Sequence, residues 1–451
     1  MSTIESSVRD TFTGKVGIIA AAAGSAIGLG NIWRFPYVAG VNGGAAFLLI
    51  YLGFILAIGF PVMLAELSIG RRAQKNALGS FKSLAPGKPW YLVGLMGIVA
   101  AFLILAFYST IAGWTLEYLA KAVGNSFEGK SSDALRNSFE AFTSGTFRPL
   151  LWQFIFMSLT AFIVYSGVRK GIEKYSKILM PMLLLLIIIM SIRSVTLPGS
   201  GEGLRFLFRP DFSKITWKVV LDALGQAAFS LSIGMGTLIT YGSYVKKTNN
   251  LPSIAFQVST ADTLIAILAG VMIFPAVFAF NIDPAEGTGL VFIVLPNIFA
   301  QMPGGYFFAI LFFLLLAIAA LTSTVSVLEV VVAYFSEELS MSRTKATVIG
   351  ALAINLLGVF ATLSFGPLKG TLILGKTMFD WFDYLSANIL LPLGATFIVI
   401  FVGWHLGRKA FNDEITSGGL YRIRIAGLLN IILKFIAPLA IATVFLYGIL
   451  G

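Results

Sequence analysis

Apolar runs of about twenty residues recur along almost the whole chain, and each is long enough to cross a lipid bilayer. Only 12% of the residues are charged, whereas a soluble domain carries about 25%. We therefore predict an all-α polytopic membrane protein that is embedded in the lipid bilayer. The eleven predicted spans cover residues 14–38, 43–70, 90–122, 150–166, 171–194, 217–244, 254–280, 306–339, 346–363, 372–406 and 423–450.

Basic residues are concentrated in the loops that follow the even-numbered spans, and Arg9 and Lys15 lie in the N-terminal segment. The loop residues are Arg71, Arg72, Lys75, Lys82 and Lys88 after span 2, Arg169, Lys170, Lys174 and Lys177 after span 4, Lys246 and Lys247 after span 6, Arg343 and Lys345 after span 8, and Arg408, Lys409, Arg422 and Arg424 after span 10. Cytoplasmic loops of membrane proteins carry such an excess of positive charge. We expect these loops and the N-terminus to be cytoplasmic, and the odd number of spans then leaves the C-terminus outside.

Composition argues against several classes of function. The net charge of +11 comes from short loops between apolar spans and forms no continuous basic face, so we expect no nucleic-acid partner. The absence of cysteine excludes disulfides, thiolate metal sites and a cysteine nucleophile. The single histidine, His405, argues against a histidine-based metal site. No nucleophile and base are recognisable as a pair, and we expect no enzymatic activity.

Three glycines interrupt the first predicted span. Gly24, Gly28 and Gly30 each cost a helix about 1 kcal/mol relative to alanine, and Asn31 and Arg34 follow directly. Irregular backbone is tolerated in a membrane only where protein buries it or where it lines a wet cavity. We interpret this stretch as a broken helix whose free amides and carbonyls are available to a ligand. The alternative is that the GxxxG spacing of Gly24 and Gly28 only allows another helix to pack closely.

A second interrupted stretch, FSLSIGMG, lies at residues 229–236 in span 6, five spans after the first. Interruptions at corresponding positions of two halves are typical of an inverted repeat with a substrate site at the membrane midplane. We predict one transmembrane domain over residues 1–451. It would consist of a five-span repeat at about 14–194, a second at about 217–406 and an extra span at about 423–450.

Several motifs resemble, in the same order, those of the neurotransmitter:sodium symporter family. They are AAAGSAIGLGNIWRFPYVAGVNGGAAF at 21–47, AELSIGRR at 65–72, SLSIGMG at 230–236, ITYGSY at 239–244 and ALTST at 320–324. The resemblance covers almost the whole chain and indicates the bacterial branch with eleven spans, which includes sodium-dependent transporters of tyrosine, tryptophan and other hydrophobic amino acids. It implies symport of Na⁺ with an L-amino acid into the cell by alternating access, in the inner (plasma) membrane of a bacterial cell.

The resemblance implies a substrate site at the two helix breaks. Half-helix N-termini carry partial positive charge and free amides, which suit a carboxylate bound by the Leu29 and Gly30 amides and the Tyr108 hydroxyl. Monoamine-transporting relatives have Asp at the position of Gly28, so a substrate of this chain should bring its own carboxylate. The expected substrate-binding residues are Ser25, Ala26, Leu29, Gly30, Ile104, Tyr108, Phe229, Ser230, Ser232, Met235, Ser323 and Val327.

Met235 bears on the size of the substrate, because leucine-type relatives tend to have Phe at this position. An unbranched, adaptable Met suggests room for an aromatic or large hydrophobic side chain. The alternative is that Met235 only fills space in the packing of an apolar helix.

The resemblance also implies two sodium ions, held by oxygen ligands. Residues of the first site would be Ala26, Asn31, Ser230 and Asp262, and the substrate carboxylate would be a further ligand that links the two binding events. Residues of the second site would be Gly24, Ile27, Ala319, Thr322 and Ser323. The alternative for the two hydroxyls is that they donate back to carbonyls of their own helix.

Asp262 and Glu66 are acids within apolar spans, and carboxylates at that depth are functional candidates. Many animal relatives have Asn at the level of Asp262 and need chloride nearby, so the resemblance implies that this chain requires no chloride. A slip of about one turn would place Asp262 at a neighbouring acidic position of other bacterial relatives, and both registers supply the negative charge. We interpret Glu66 as an acceptor that braces the break in span 6.

Gates on both sides of the site are also expected. The gate residues would be Arg34 and Asp383 on the outside, and Arg9, Glu337 and Tyr244 on the inside. Asp380 competes with Asp383 as the partner of Arg34, and the alternative for Arg9 and Glu337 is that they are solvated loop charges without a partner.

Span 5 contains Gly171 and Pro181 in a Gly-x9-Pro arrangement that resembles one in the family. Pro181 leaves a carbonyl one turn earlier without its hydrogen bond, and Gly171 has no side chain to shield the backbone. The inner end of span 5 is therefore expected to unwind and admit water to the second sodium site. A static proline kink is the alternative.

The predicted function is Na⁺-coupled symport of an amino acid, and the alternative is a sensor or receptor on the same fold that binds the amino acid without moving it. The short loops leave no room for a signalling domain, which argues against the sensor. No repeated pore loop is present to indicate a channel. The sequence does not specify an oligomeric state.

Overall fold

The structure, a computed structural model, describes residues 11–282 and 289–450 and is helical throughout these ranges except for turns and one isolated bridge. Nine helices in the described part are long and apolar enough to cross a membrane. They are Ala45–Ala73, Tyr91–Val123, Phe147–Tyr165, Val168–Val195, Leu251–Ala279, Gly305–Glu338, Arg343–Leu363, Met378–Thr416 and Ala426–Ile449. They correspond to predicted spans 2 to 5 and 7 to 11, and we keep those numbers. The predicted all-α membrane fold is confirmed.

Span 1 is broken. Its two halves, Lys15–Ala26 and Gly30–Val41, are bent by 51° relative to each other. Ile27, between them, is extended with φ −78° and ψ 106°, and the second half begins with a π-helical turn at Gly30–Arg34. The broken-helix interpretation of this stretch is therefore confirmed.

Span 6 is broken in the same manner, into Trp217–Ser230 and Thr237–Gly242. In the connecting segment Ser232, Gly234 and Gly236 all have positive φ, at 55°, 86° and 77°. Glycine adopts this conformation without steric cost, whereas Ser232 must be held there by its surroundings. With the bent pair of span 1 counted as one span, up to ten candidate spans lie in the described part of the chain, and the total of eleven stays a prediction. The bounds of the two predicted repeats stay a prediction.

The predicted start of span 10 at residue 372 is wrong. The helix begins at Met378, and the apolar residues before it lie in an exposed turn closed by the bridge between Ile373 and Lys376. Thr377 starts the helix as its N-cap: its side chain accepts from the Asp380 amide, and the Asp380 carboxylate accepts from the Thr377 amide. Apolar residues at a loop tip therefore extended the predicted span by six positions.

Shorter helices cover the ends of the spans. They are Ala77–Leu84, Ser132–Thr143, Gly201–Phe208 and Leu290–Gln301. We call the side of the molecule that carries residues 11–14 the inner face and the opposite side the outer face. The first half of span 1 packs against spans 5, 7 and 8, so the break in span 1 lies in the middle of the helix bundle.

Spans 2 and 6 pack backbone to backbone on the inner side of the break. A Cβ added at Gly70 would collide with the Ile239 carbonyl oxygen, and one added at Gly242 would lie 2.6 Å from the Leu67 carbonyl oxygen. Small residues at such crossings let membrane helices approach closely. The inner half of span 6 is therefore held in place by direct packing against span 2.

Gly70→Ala should destabilise the protein by about 1–3 kcal/mol, because the new methyl group must displace the backbone of span 6. Gly53→Ala is the matched control in the same span, since nothing lies within 4 Å of its added Cβ. It should be neutral or slightly stabilising. The check is the thermal unfolding midpoint of the detergent-solubilised protein. Equal midpoints for the two variants would contradict this packing.

Candidate functional site

The two helix breaks face each other and are joined by hydrogen bonds. The Ser232 hydroxyl donates to the Ser25 carbonyl at 2.9 Å, and the Gln226 amide nitrogen donates to the Gly30 carbonyl at 3.2 Å. The first bond explains how Ser232 is held at positive φ. Side chains of span 6 thus satisfy part of the backbone that the break in span 1 exposes.

Asp262 lies at the centre of a fully buried polar cluster beside the break in span 1. Its carboxylate accepts from Asn31 Nδ2 at 2.7 Å, from Ser230 Oγ at 2.8 Å and from the Tyr51 hydroxyl at 3.4 Å. Within the described residues its interactions are all with neutral donors and none is with a basic side chain. A buried carboxylate without a basic partner is a suitable place for a bound cation.

Three of the four residues predicted for the first sodium site are therefore together. The fourth, Ala26, is the last residue of its half-helix, so its carbonyl is among those left without an intrahelical partner. Asn31 Oδ1 accepts from the Gly28 amide at 3.1 Å, while Nδ2 points toward Asp262. Ligation by Asn31 would therefore require its amide group to turn over. The donor set is otherwise suited to a hard cation, since every candidate ligand is an oxygen.

The residues predicted for the second sodium site meet where span 1 crosses span 8. A Cβ added at Gly24 would lie 3.2 Å from the Thr322 Cβ. The Thr322 hydroxyl donates to the Ala319 carbonyl at 3.1 Å and to the Ile318 carbonyl at 3.2 Å, as the alternative interpretation of this residue expected. Such a hydroxyl still has oxygen lone pairs for a cation. Extended backbone at Ile27 turns that carbonyl out of the helical ladder.

Gly28 lies between two hydroxyl groups. A Cβ at this position would be 3.0 Å from the Tyr108 oxygen and 3.1 Å from Ser323 Oγ. The Tyr108 hydroxyl accepts from the Leu29 amide at 3.0 Å. The Leu29 amide, which is predicted to bind the substrate carboxylate, therefore already donates to an oxygen atom. The absence of a side chain at Gly28 therefore lets both hydroxyls approach the backbone closely.

The remaining predicted substrate residues surround the breaks. Phe229 packs against Gly30, where an added Cβ would be 3.0 Å from its ring. Ser25 Oγ is buried, and no hydrogen-bond partner for it is found in the described part of the chain. Three apolar members, Ile104, Met235 and Val327, are buried in one hydrophobic cluster.

A cavity of about 430 Å³ lies on the outer side of the breaks. Its walls include Tyr108, Phe229, Arg34 and Asp383, so the predicted outer gate residues line one space. The Arg34 guanidinium lies 4.1 Å from the centre of the Phe229 ring. Within the described residues no ion pair shorter than 4 Å joins Arg34 to Asp383. The competing acid, Asp380, is engaged in capping its own helix.

On the inner face, residues 11–13 cross the ends of spans 5 and 6. The Phe12 amide donates to the Tyr244 carbonyl at 3.2 Å, Arg169 donates to the Thr11 carbonyl at 2.8 Å, and the Thr13 amide donates to Glu173 at 2.9 Å. Contacts close the inner face while a cavity adjoins the breaks on the outer side. This combination describes an outward-facing arrangement.

Two of the predicted inner gate residues contact side chains that the prediction did not include. The Tyr244 hydroxyl donates to Glu329 at 2.7 Å, and Glu329 also binds Arg343 at 2.6 Å. Glu337 accepts from the Asn76 amide at 2.8 Å. Arg9 lies outside the described residues, so its pairing with Glu337 stays a prediction. Sequence reasoning missed Glu329, although an acid inside span 8 was a visible signal, and it missed Tyr51 and Glu173.

Span 5 is wound along its whole length in this conformation. Its inner end, Val168–Glu173, is π-helical, and the helix continues through Pro181 to Val195. A Cβ added at Gly171 would collide with the Ile163 carbonyl oxygen of span 4, so glycine here permits close packing. Unwinding of this end stays a prediction.

Glu66 braces the break in span 6, as predicted. Its Oε1 accepts from the Gly234 amide at 2.7 Å, and the whole side chain is buried. An unpaired buried amide costs about 1–3 kcal/mol, so this bond stabilises the unwound segment.

Comparison with known proteins decides the family. The sequence model of the Sodium:neurotransmitter symporter family matches residues 9–145 and 134–451. The chain belongs to this family. A sodium-dependent transporter of Bacillus subtilis, YhdH, is 42% identical over 96% of this chain and 96% of its own length. The sodium-dependent serotonin transporter of Drosophila melanogaster is 29% identical over 98% of this chain and 77% of its own length.

The fold of this chain agrees with that of a solved structure. The crystal structure of MhsT in complex with L-phenylalanine matches with a TM-score of 0.90 and 49% sequence identity, covering 98% of this chain and 100% of that one. The protein is thus a sodium-dependent transporter embedded in a membrane, and its relatives are transporters and not enzymes.

Glu66→Leu should destabilise the transporter by about 1–3 kcal/mol, because the Gly234 amide is left buried without an acceptor. Glu66→Gln is the matched control, since its side-chain oxygen still accepts from that amide. The loss of unfolding free energy in Glu66→Gln should be smaller than that in Glu66→Leu by about 1–3 kcal/mol. Thermal unfolding of the two purified variants measures the difference, and equal losses would show that the acceptor is not what matters.

Proposed function

We propose that this transporter carries an L-amino acid together with Na⁺ into the cell by alternating access, with two sodium ions and no requirement for chloride. The observation that carries the proposal is the Asp262 cluster, which places a buried carboxylate, a hydroxyl and an amide directly beside the free backbone of span 1. A cation there and a carboxylate at the Leu29 amide would be close neighbours. Each would lower the free energy of binding the other, which is the basis of coupling.

Three observations support an amino acid with an aromatic or large hydrophobic side chain. Gly28 brings no carboxylate of its own to the position beside Tyr108 and Ser323, so the substrate would have to supply one. Met235 is an adaptable residue in the span 6 break. The structural neighbour MhsT was crystallised with L-phenylalanine.

The proposed location is the inner membrane of a bacterial cell, with the N-terminus in the cytoplasm and the C-terminus outside. The distribution of lysine and arginine supports this orientation. The proposed cycle closes the outer cavity by pairing Arg34 with Asp383 over the substrate. It then releases residues 11–13 and unwinds the inner end of span 5, so that Na⁺ leaves the second site.

Uptake into proteoliposomes tests the proposal. Radiolabelled tyrosine, tryptophan and leucine are offered under an imposed Na⁺ gradient, in chloride and in gluconate. We expect accumulation that depends on the gradient, survives removal of chloride and is greater for the aromatic amino acids. Accumulation without Na⁺ would refute the coupling. Binding in the presence of Na⁺ without accumulation would instead support a sensor.

Gly28→Asp should weaken amino-acid binding more than a hundredfold. Two carboxylates about 4 Å apart repel by roughly 4 kcal/mol at the effective dielectric constant of a protein. Gly28→Asn is the matched control, because it adds a side chain of the same size without the charge. In competition binding, the Asp variant should gain affinity for phenethylamine, which lacks the carboxylate. Similar losses in both variants would attribute the effect to size alone.

Asp262→Asn should make transport depend on chloride. The change removes the buried negative charge but keeps the donors Tyr51, Ser230 and Asn31, which can then face an anion. We expect Na⁺-driven uptake to fall at least tenfold in gluconate and to recover in part in chloride. Equal uptake in the two anions would contradict the proposed role of the Asp262 charge.

A further inference from the structure

The inner ends of spans 10 and 11 lie side by side. Trp404 Nε1 donates to the Lys434 carbonyl at 3.0 Å, and Asn430 Nδ2 donates to Asn412 Oδ1 at 2.8 Å. These two bonds fix the antiparallel register of the helix ends. The connecting segment between them therefore emerges at one place on the inner face.

The two acids of this region are turned away from it. Glu414 is buried and binds Arg71 at 2.9 Å and Lys247 at 2.8 Å, and Asp413 binds Arg72 at 3.2 Å. Arg71 and Arg72 lie in the last turn of span 2, and Lys247 lies in the segment after span 6. The acids of the span 10–11 region thus neutralise charges of other parts of the chain.

The basic residues of the region are consequently left without counter-charges. They are Arg408, Lys409, Arg422 and Arg424, all exposed. Over the ranges 11–282 and 289–450, none of these four has an ion pair or a side-chain hydrogen bond. We call them the basic rim.

Lys434 adds a fifth cation from within span 11. Its ammonium lies 4.4 Å from the centre of the Trp404 ring and 5.4 Å from that of Phe435. Trp404 and Phe435 are 59% and 49% exposed on the lipid-facing side. Since Cα–Cβ bonds tilt toward the helix N-terminus, the Lys434 side chain extends toward the inner face and the level of the lipid headgroups.

An apolar stripe continues from this point along span 11. Its members recur every three or four residues and are exposed: Ile425, Leu428, Ile431, Phe435 and Leu439. Such spacing places them on one side of a helix. A surface with cations at the headgroup level and an apolar stripe running into the membrane matches the two parts of a phospholipid.

We propose that the inner ends of spans 10 and 11 bind an anionic phospholipid of the cytoplasmic leaflet. Its phosphate would lie at Lys434 and the basic rim, and its acyl chains would follow the stripe of span 11. The proposal rests on the proposed orientation, which makes the inner face cytoplasmic. Clusters of four or more basic residues beside a membrane span attract anionic lipids, and each cation strengthens binding about fivefold near an anionic surface.

Quenching of Trp404 by brominated lipids tests the proposal without any transport measurement. The purified protein is reconstituted with brominated phosphatidylglycerol or with brominated phosphatidylcholine. The Trp404 contribution is obtained by subtracting the signal of Trp404→Phe. We expect half-maximal quenching at a phosphatidylglycerol fraction several times lower than for phosphatidylcholine, with the difference shrinking at high salt. Equal quenching by the two lipids would overturn the proposal.

A pair of matched variants assigns the effect to the basic rim. One variant changes Arg408, Lys409, Arg422 and Arg424 to Gln, and the control changes Lys75, Lys170, Lys174 and Lys345 to Gln. Both remove four exposed positive charges from the inner face. The rim variant should require at least tenfold more phosphatidylglycerol, while the control should behave like the unmodified protein. Equal effects would reduce the interaction to net charge and refute a site.

Loss of lipid preference in the rim variant with normal Na⁺-driven uptake would support the site and leave the proposed transport function intact. Loss of uptake in all variants and in the unmodified protein would count against the transport function alone. Lys434→Met, tested in the same assay, should weaken phosphatidylglycerol binding severalfold. An unchanged preference in this variant would exclude Lys434 from the site.

Discussion

A helix broken inside a bilayer exposes backbone amides and carbonyls that lipid cannot hydrogen-bond. This constraint shapes the centre of the protein, because spans 1 and 6 are both broken at the same depth. Glu66 accepts from the Gly234 amide, Ser232 donates to the Ser25 carbonyl, and Tyr108 accepts from the Leu29 amide. The surrounding spans therefore stabilise an irregular backbone, and the groups left over are available to ligands.

The charge of Asp262 is the second constraint on the centre of the protein. Its carboxylate is buried among neutral donors, and desolvation of an unpaired charge is costly. A sodium ion would relieve that cost, and the adjoining amides of span 1 would attract a carboxylate. Binding of the ion and binding of the substrate can then be linked by direct contact, because both would bind to the same short stretch of span 1 backbone.

The two breaks could be predicted from residues that are neighbours in the sequence. Most residues that hydrogen-bond around the breaks could not, because they lie far away in the chain. Clustered glycines indicated the breaks, and the bent halves of span 1 confirm them. Tyr51 and Glu173 were missed because their partners lie 211 and 160 positions away in the chain. The start of span 10 was misplaced because hydropathy cannot distinguish an apolar loop tip from a helix end. The Thr377 cap decides that boundary, and its Thr-x-x-Asp pattern is a sequence signal that hydropathy does not register.

Linked binding of Na⁺ and an amino acid can be measured at equilibrium. Radiolabelled tyrosine is bound to the detergent-solubilised protein across a range of Na⁺ concentrations. We expect the dissociation constant to fall steeply as Na⁺ rises, and Asp262→Asn in gluconate to flatten this dependence. A dissociation constant that does not change with Na⁺ would contradict a linked site.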